Sequence, residues 1–292
     1  MKTTKTIIPA VNFHLWEPCN FRCKYCFATF KDVKQFVLPK GHLPKEEAIK
    51  IVDALSQAGF TKITFAGGEP TLCPWLEDLI KRAKANGLTT TIVTNGSGLN
   101  STFLSKVKDD LDWVAISIDS VSIDTNQKIG RFMRSSIVPD FNWYSEKSSL
   151  VKQFGMKLKI NTVVNHYNYE ESQLSELVNK LQPMRWKIFQ ALSAKGQNDN
   201  FFHELEITEK QLKTFLKLNK ISESAYSVVV ENNQNMRGTY VMVDPAGRFY
   251  DNTKGYHSYS KPILEIGVFE ALNQVIADYD AFVNRGGLYN WK

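Results

Sequence analysis

Val11-Asn-Phe-His-Leu-Trp16-Glu-Pro-Cys19-Asn-Phe-Arg-Cys23-Lys-Tyr-Cys26 runs a short apolar strand straight into three cysteines crowded within eight residues. Only one further cysteine, Cys73, occurs in the 292 residues, too few for a disulfide scaffold, so the crowding points to metal binding or redox chemistry. The spacing, C-x3-C-x2-C, narrows the choice of metal. A structural zinc site takes four ligands, usually as two pairs, whereas a 4Fe–4S cube has four iron corners and normally four thiolates. Three thiolates in one loop can cap three corners and leave the fourth iron open to another ligand. Zinc completed by Cys73 or a histidine is the competing reading of the same residues.

Outward from this loop, short apolar strands alternate with helical segments. Strands are expected at residues 11–16, 62–66, 89–94, 113–118, 157–164 and 185–190, and helices at 44–58, 74–86, 102–109, 144–154 and 169–181. Two of these helices begin with proline just inside the start, and Gly59, Gly87 and Gly155 follow the ends of three. Such alternation reads as an α/β fold with a parallel sheet, either a partial barrel or a doubly wound sheet. Past Gln190 the pattern changes. A polar loop at 194–200 precedes a helix at 209–220, short strands at 228–230, 239–243 and 248–250 with a Pro-Ala-Gly turn at 245–247, and a last helix at 265–277. The expected organisation is a catalytic barrel over residues 7–190 and a C-terminal α/β extension over 191–292 that covers the site.

With 43% hydrophobic and 23% charged residues the composition is that of a globular protein, which excludes disorder, collagen and coiled coil. No run approaches the roughly 20 apolar residues of a membrane helix. The opening Met1-Lys2-Thr3-Thr4-Lys5 carries no signal peptide or amphipathic anchor, so a cytoplasmic protein without membrane partners is expected. The net charge of +6 is modest and no basic run marks a nucleic-acid tail.

Two further patterns carry chemistry. Gly67-Gly68-Glu69-Pro70 ends the second strand, where glycines permit close backbone approach to a charged ligand and Glu69 can accept from an ammonium group. In Lys157-Leu-Lys-Ile-Asn-Thr-Val-Val164, alternation puts Lys159 and Asn161 on one face and Leu158, Ile160, Thr162 and Val164 on the other. Arg185 and Lys187 share a face in the same way. The apolar faces should pack on outer helices, which turns the cations inward. Few inward carboxylates beyond Asp119 are evident, so an anionic ligand is expected to neutralise them, and several converging cations suggest phosphates.

The C-x3-C-x2-C run with Tyr25 before its third cysteine, followed by Gly67-Gly68-Glu69-Pro70, is similar to the signature of the radical S-adenosylmethionine superfamily. The resemblance implies a partial (β/α)6, TIM-like barrel, which matches the strand count. It also implies a 4Fe–4S cluster on Cys19, Cys23 and Cys26, whose open iron chelates S-adenosylmethionine for reductive cleavage to a 5′-deoxyadenosyl radical. Gly67, Gly68, Glu69, Asn95 and Ser117 would border that cofactor.

The likeness narrows along the chain. Val11-Asn-Phe-His14, Ile129-Gly-Arg131, Lys159-Ile-Asn-Thr-Val163, Arg185-Trp-Lys-Ile-Phe-Gln190, Glu231-Asn-Asn-Gln234, Tyr240, Ile266-Gly-Val268 and Arg285-Gly-Gly287 together resemble the viperins and viperin-like nucleotide dehydratases. As this resemblance implies it, the radical takes hydrogen from C4′ of a ribonucleoside triphosphate, CTP in the best-known case. The 3′-hydroxyl then leaves as water, and one electron and one proton complete a 3′-deoxy-3′,4′-didehydro nucleotide. That product terminates viral RNA chains, phage chains in a prokaryote. By the same implication Lys159, Asn161, Arg185 and Lys187 hold the triphosphate, Arg285 closes over it, Arg131 pairs with the cofactor carboxylate and Tyr240 supplies the final hydrogen. An electron donor such as flavodoxin or ferredoxin and a monomeric state are expected.

Departures are also legible. The vertebrate members' membrane-binding helix is not expected here. Where they read Leu-Asn-Cys, this chain has Tyr250-Asp251-Asn252, and the identity of the base stays open between CTP and UTP or GTP. Two alternatives compete with the dehydratase. One is a radical enzyme acting on a peptide or small metabolite, although peptide-modifying relatives often add C-terminal cysteines and none follows Cys73. The other is a zinc or redox-binding module without catalysis.

Overall fold

The computed structural model describes residues 7–221 and 226–291. Six strands rich in Val, Ile and Thr, β1 (Ala10–Trp16), β2 (Lys62–Gly67), β3 (Thr89–Thr94), β4 (Trp113–Ser117), β5 (Lys157–Val164) and β6 (Arg185–Gln190), lie side by side in chain order and parallel. The chain past Gln190 extends this sheet at both edges. β7 (Ser227–Glu231) adds a seventh parallel strand on β6, while β8 (Val241–Val243) crosses back to lie parallel on β1. Two antiparallel strands, β9 (Arg248–Asp251) and β10 (Ser258–Pro262), complete that edge. The result is an α/β partial barrel of parallel strands with an antiparallel C-terminal appendage.

One face of each strand is apolar and packs on the outer helices. Helix Lys45–Gln57 buries Ala48, Ile51, Val52 and Leu55, a stripe at helical spacing, and helix Leu76–Ala85 buries Leu76, Leu79, Ile80 and Ala83. Both join Phe13, Leu15, Ile63 and Phe65 of β1 and β2 in the main core. Truncating one of these phenylalanines to alanine costs about 3–5 kcal/mol. Cys73 belongs to this core, away from the other three cysteines.

Several helix boundaries differ from expectation for local reasons. The helix expected from residue 169 begins only at Leu174, because Asn165 and Asn168 bind backbone groups in a turn instead, with the Asn165 N–H donating to Asn168 Oδ1 at 2.7 Å. The helix expected from 144 starts at Phe141, capped by Asp140, which accepts from the Trp143 N–H at 2.8 Å. The last helix, expected over 265–277, is broken by Gly267 at φ +83° into Ile263–Ile266 and Val268–Leu272, and a further helix, Tyr279–Asn284, follows behind the Asp278 cap. Among the described residues no helix is long and apolar enough to cross a membrane.

Candidate active site

Parallel register sorts the inward side chains into layers. Lys159 stands opposite Arg185, Asn161 opposite Lys187 and Ser117, and Asn12 opposite Thr64 and Met242. Going up each strand in steps of two, Lys62 gives way to Thr64 and Ala66, Lys159 to Asn161 and Val163, and Arg185 to Lys187 and Phe189. Cations therefore occupy the lower barrel and neutral residues the upper.

The upper part opens into a cavity of about 530 Å³ whose wall includes Cys19, Cys23, Cys26, Gly67, Gly68, Asn95, Ser117, Arg131 and Asn161. Beneath it a space of about 60 Å³ is bordered by Lys62, Lys159, Arg185, Lys187 and Arg285. Asn12, Thr64 and Tyr240 border both. Every residue to which the sequence resemblance gives a cluster, cofactor, substrate or catalytic role, except Glu69, thus borders one of two adjoining spaces.

The cysteine loop is held by backbone. The Gly68 N–H donates to the Trp16 carbonyl and the Glu69 N–H to the Pro18 carbonyl at 2.9 Å, while Arg22 and Lys24 donate to Gly130 and Ile129 at 3.2 and 2.9 Å. A Cβ on Gly68 would overlap the carbonyl oxygens of Glu17 and Pro18, so this glycine admits the cysteine loop itself. Glu69 is fully buried and does not border the cavity. Its carboxylate accepts from Thr71 N and Oγ1 at 3.1 and 2.6 Å, Thr94 Oγ1 at 2.6 Å and Asn95 N at 2.7 Å. Three of these contacts fall on one carboxylate oxygen and one on the other, and together they anchor the turn that carries Asn95.

The three thiols suit a metal–sulfur group. N–H donors face two of them: Phe21 N lies 3.4 Å and Asn95 Nδ2 3.9 Å from Cys19 Sγ, and Arg131 Nη1 3.9 Å from Cys23 Sγ. Burial pushes all three up, Cys26 to about 11, so the thiolate form needs a positive charge such as iron beside it. Cys73 lies in the main core, away from the three thiols, and so does not complete a four-ligand zinc site with them. Arg131 already has partners: Asp119 at 3.1 Å, the Tyr25 and Tyr144 hydroxyls at 2.9 and 3.0 Å, and the Ser117 carbonyl.

The lower layer contains a carboxylate that sequence reading missed. Glu231, at the end of β7, is fully buried and pairs with Lys187 and, at 2.9 Å, with Arg285. The Tyr240 hydroxyl donates to Glu231 and accepts from Lys187 at 2.7 Å, and the Arg285 guanidinium lies 3.7 Å over the Tyr240 ring. Burial would raise Glu231, yet Lys187 and Arg285 hold it below the ordinary carboxylate value. Lys62 was also missed, although the alternation Lys62, Thr64, Ala66 puts it on the inward face. It donates to the Tyr289 hydroxyl and lies 5.2 Å from the Trp291 ring. Arg185 donates to the Gly286 carbonyl at 2.6 Å. Burial, then Lys187 and Arg185, lowers Lys62 to about 7, and burial lowers Lys187 to about 8 despite Glu231. Five basic side chains face one carboxylate, an excess of charge that a polyanion would balance.

Comparison with known proteins agrees with this geometry. The Radical SAM superfamily model matches residues 16–178. A protein described as an S-adenosylmethionine-dependent nucleotide dehydratase, from Lacinutrix mariniflava, is 53% identical over 97% of this chain, and the chain spans 59% of that protein's length. Another of the same description, from Flammeovirga pacifica, is 51% identical over 98% of this chain and 97% of its own length. The solved structure of anSMEcpe with bound AdoMet shares the fold at a TM-score of 0.66 and 15% identity, over 94% of this chain and 82% of its own.

Proposed function

Since the chain belongs to the Radical SAM superfamily, and within it to the S-adenosylmethionine-dependent nucleotide dehydratases, we propose that its substrate is a ribonucleoside triphosphate, with CTP the base carried over from the resemblance. The product is the 3′-deoxy-3′,4′-didehydro analogue, and the biological role is antiviral chain termination, against phage in a prokaryotic host. The observation that carries this reading is the stacking of a cation-lined space under a thiol-lined cavity, joined at Asn12, Thr64 and Tyr240.

Cys19, Cys23 and Cys26 would hold three irons of a 4Fe–4S cluster and leave the fourth to S-adenosylmethionine, a pair that supplies a 5′-deoxyadenosyl radical when reduced by a carrier such as flavodoxin or ferredoxin. Gly67, Gly68, Asn95, Ser117 and Arg131 shape the cavity around that cofactor. Lys62, Lys159, Arg185, Lys187 and Arg285 neutralise the triphosphate and orient it with the phosphates down and the ribose up, and Asn161 borders the ribose. Tyr240 borders both spaces, its hydroxyl held between Lys187 and Glu231, and would give the final hydrogen.

The test is anaerobic. Cluster-loaded protein with dithionite and S-adenosylmethionine is given CTP, UTP, GTP and ATP separately, and 5′-deoxyadenosine and nucleotide masses are followed. Release stimulated by one triphosphate, with that nucleotide losing the mass of water, is the expected result. Cleavage indifferent to every nucleotide would return the peptide or metabolite alternative, and a protein without iron would remove the radical chemistry altogether.

A further inference from the structure

The inner faces of β1 and β8 give the cavity a direction. Ala10 and Asn12 border the cation-lined space, whereas Asn12 and, two residues or about 7 Å further up, His14 border the upper cavity. On β8 the same step leads from Tyr240 to Met242, which stands opposite Asn12. A nucleotide with its phosphates on the cations therefore leads its base up this wall. The wall offers the flat apolar surface of the buried Met236 and Met242, and beside them Asn252.

Asn252 is 6% exposed and borders the cavity. It follows β9 in a turn fixed on both sides: the Asp251 carboxylate accepts from Thr253 N at 2.9 Å and Ile276 N at 3.1 Å, and the Asn252 carbonyl accepts from Gly255 N at 3.1 Å. Its side-chain oxygen accepts from the Gly238 N–H at 3.4 Å. A backbone N–H can pair only with the amide oxygen, so this contact sets which end of this cavity-bordering amide is the NH₂. Among the described residues that NH₂ has no hydrogen-bond partner.

We infer that Asn252 reads the nucleobase, offering its NH₂ to an exocyclic carbonyl. The inference rests on the triphosphate reading proposed above and deepens it. At the edge where uracil carries O4, guanine O6 and cytosine its N4 amino group, a fixed donor matches the first two and opposes the third, so this contact favours keto bases over the CTP carried over from the resemblance, and an acceptor in its place favours cytosine. His14, on the same wall, stays neutral because burial, with His257, holds it near 3, and it adds no charge to the base site.

The experiment compares cluster-loaded wild type, Asn252→Asp and Asn252→Leu with CTP and UTP in competition, reading kcat/KM for dehydration and, separately, S-adenosylmethionine affinity. Asn252→Asp is expected to raise the CTP:UTP ratio about tenfold over wild type, and Asn252→Leu to lower kcat/KM for UTP by about the same factor, with cofactor affinity unchanged. A ratio and a UTP rate within about twofold of wild type in both variants overturns the assignment. If Asn252→Asp does not take up iron, Asn252→Leu decides alone by the UTP rate. If wild type dehydrates no triphosphate while still cleaving S-adenosylmethionine, the triphosphate reading itself has failed and this inference falls with it.

Discussion

Glu231 and Lys62 set the charge balance of the lower barrel from opposite sides. Glu231 is fully buried, and Lys187 and Arg285 both pair with it. Glu231→Gln keeps the shape and leaves two buried cations without their counter-charge. A loss of about 3 kcal/mol in urea unfolding is expected, and a loss under about 1 kcal/mol would show that the cations find other compensation. Lys62 has the reverse problem. The folded chain gives up its proton near pH 7 and the unfolded chain near 10.5, so between these values the unfolded state binds more protons and stability climbs with pH. Lys62→Met should flatten that climb. Unfolding free energies of both proteins, taken from about pH 6.5 to about pH 9.5, test it, and parallel curves would mean that Lys62 keeps its charge when buried.

At the scale of elements, period-two alternation made the strands legible, and with them the direction in which Lys159, Asn161, Arg185 and Lys187 point. The same reading stopped one residue short of Glu231, because β7 was read only over its Val-Val-Val centre. Helix ends were less legible. Asn168 and Gly267 act through side-chain hydrogen bonds and backbone conformation that hydrophobic spacing does not record. The Gly-Gly-Glu-Pro turn was legible as a motif, whereas its backbone contacts to the cysteine loop were not. Gly68→Ala is therefore expected to displace that loop and cut iron uptake per chain by more than about half, with the helical circular dichroism retained. Full iron content in this variant would show that the loop closes without the Gly68 contact.

At the scale of the molecule, the C-terminal segment closes the bottom of the barrel. Trp291 accepts from the Trp113 indole at 2.9 Å through its carbonyl, and Tyr289 packs with Lys62 and Arg185. The space below Tyr240 is narrow, at about 60 Å³, so a triphosphate would press closely on the side chains that border it. Replacing Tyr289 and Trp291 together by alanine should loosen the floor and raise the KM for nucleotide about tenfold, while S-adenosylmethionine affinity, set in the upper cavity, stays unchanged. Equal losses of both would mean that the segment supports the whole barrel.

The cysteine spacing, the Gly-Gly-Glu-Pro turn and the strand period made the fold class, the three cavity-lining thiols and the inward cations legible from sequence, because each is a local pattern whose chemistry depends on spacing along the chain. Which groups meet across the barrel was decided only by the tertiary structure. Glu231 reaches Lys187 and Arg285 from another strand, Glu69 binds Thr94 and Asn95 of the neighbouring strand end, and Gly238 orients Asn252 across a loop. These pairings join residues far apart in the chain, and their energies depend on burial and register that no single segment contains.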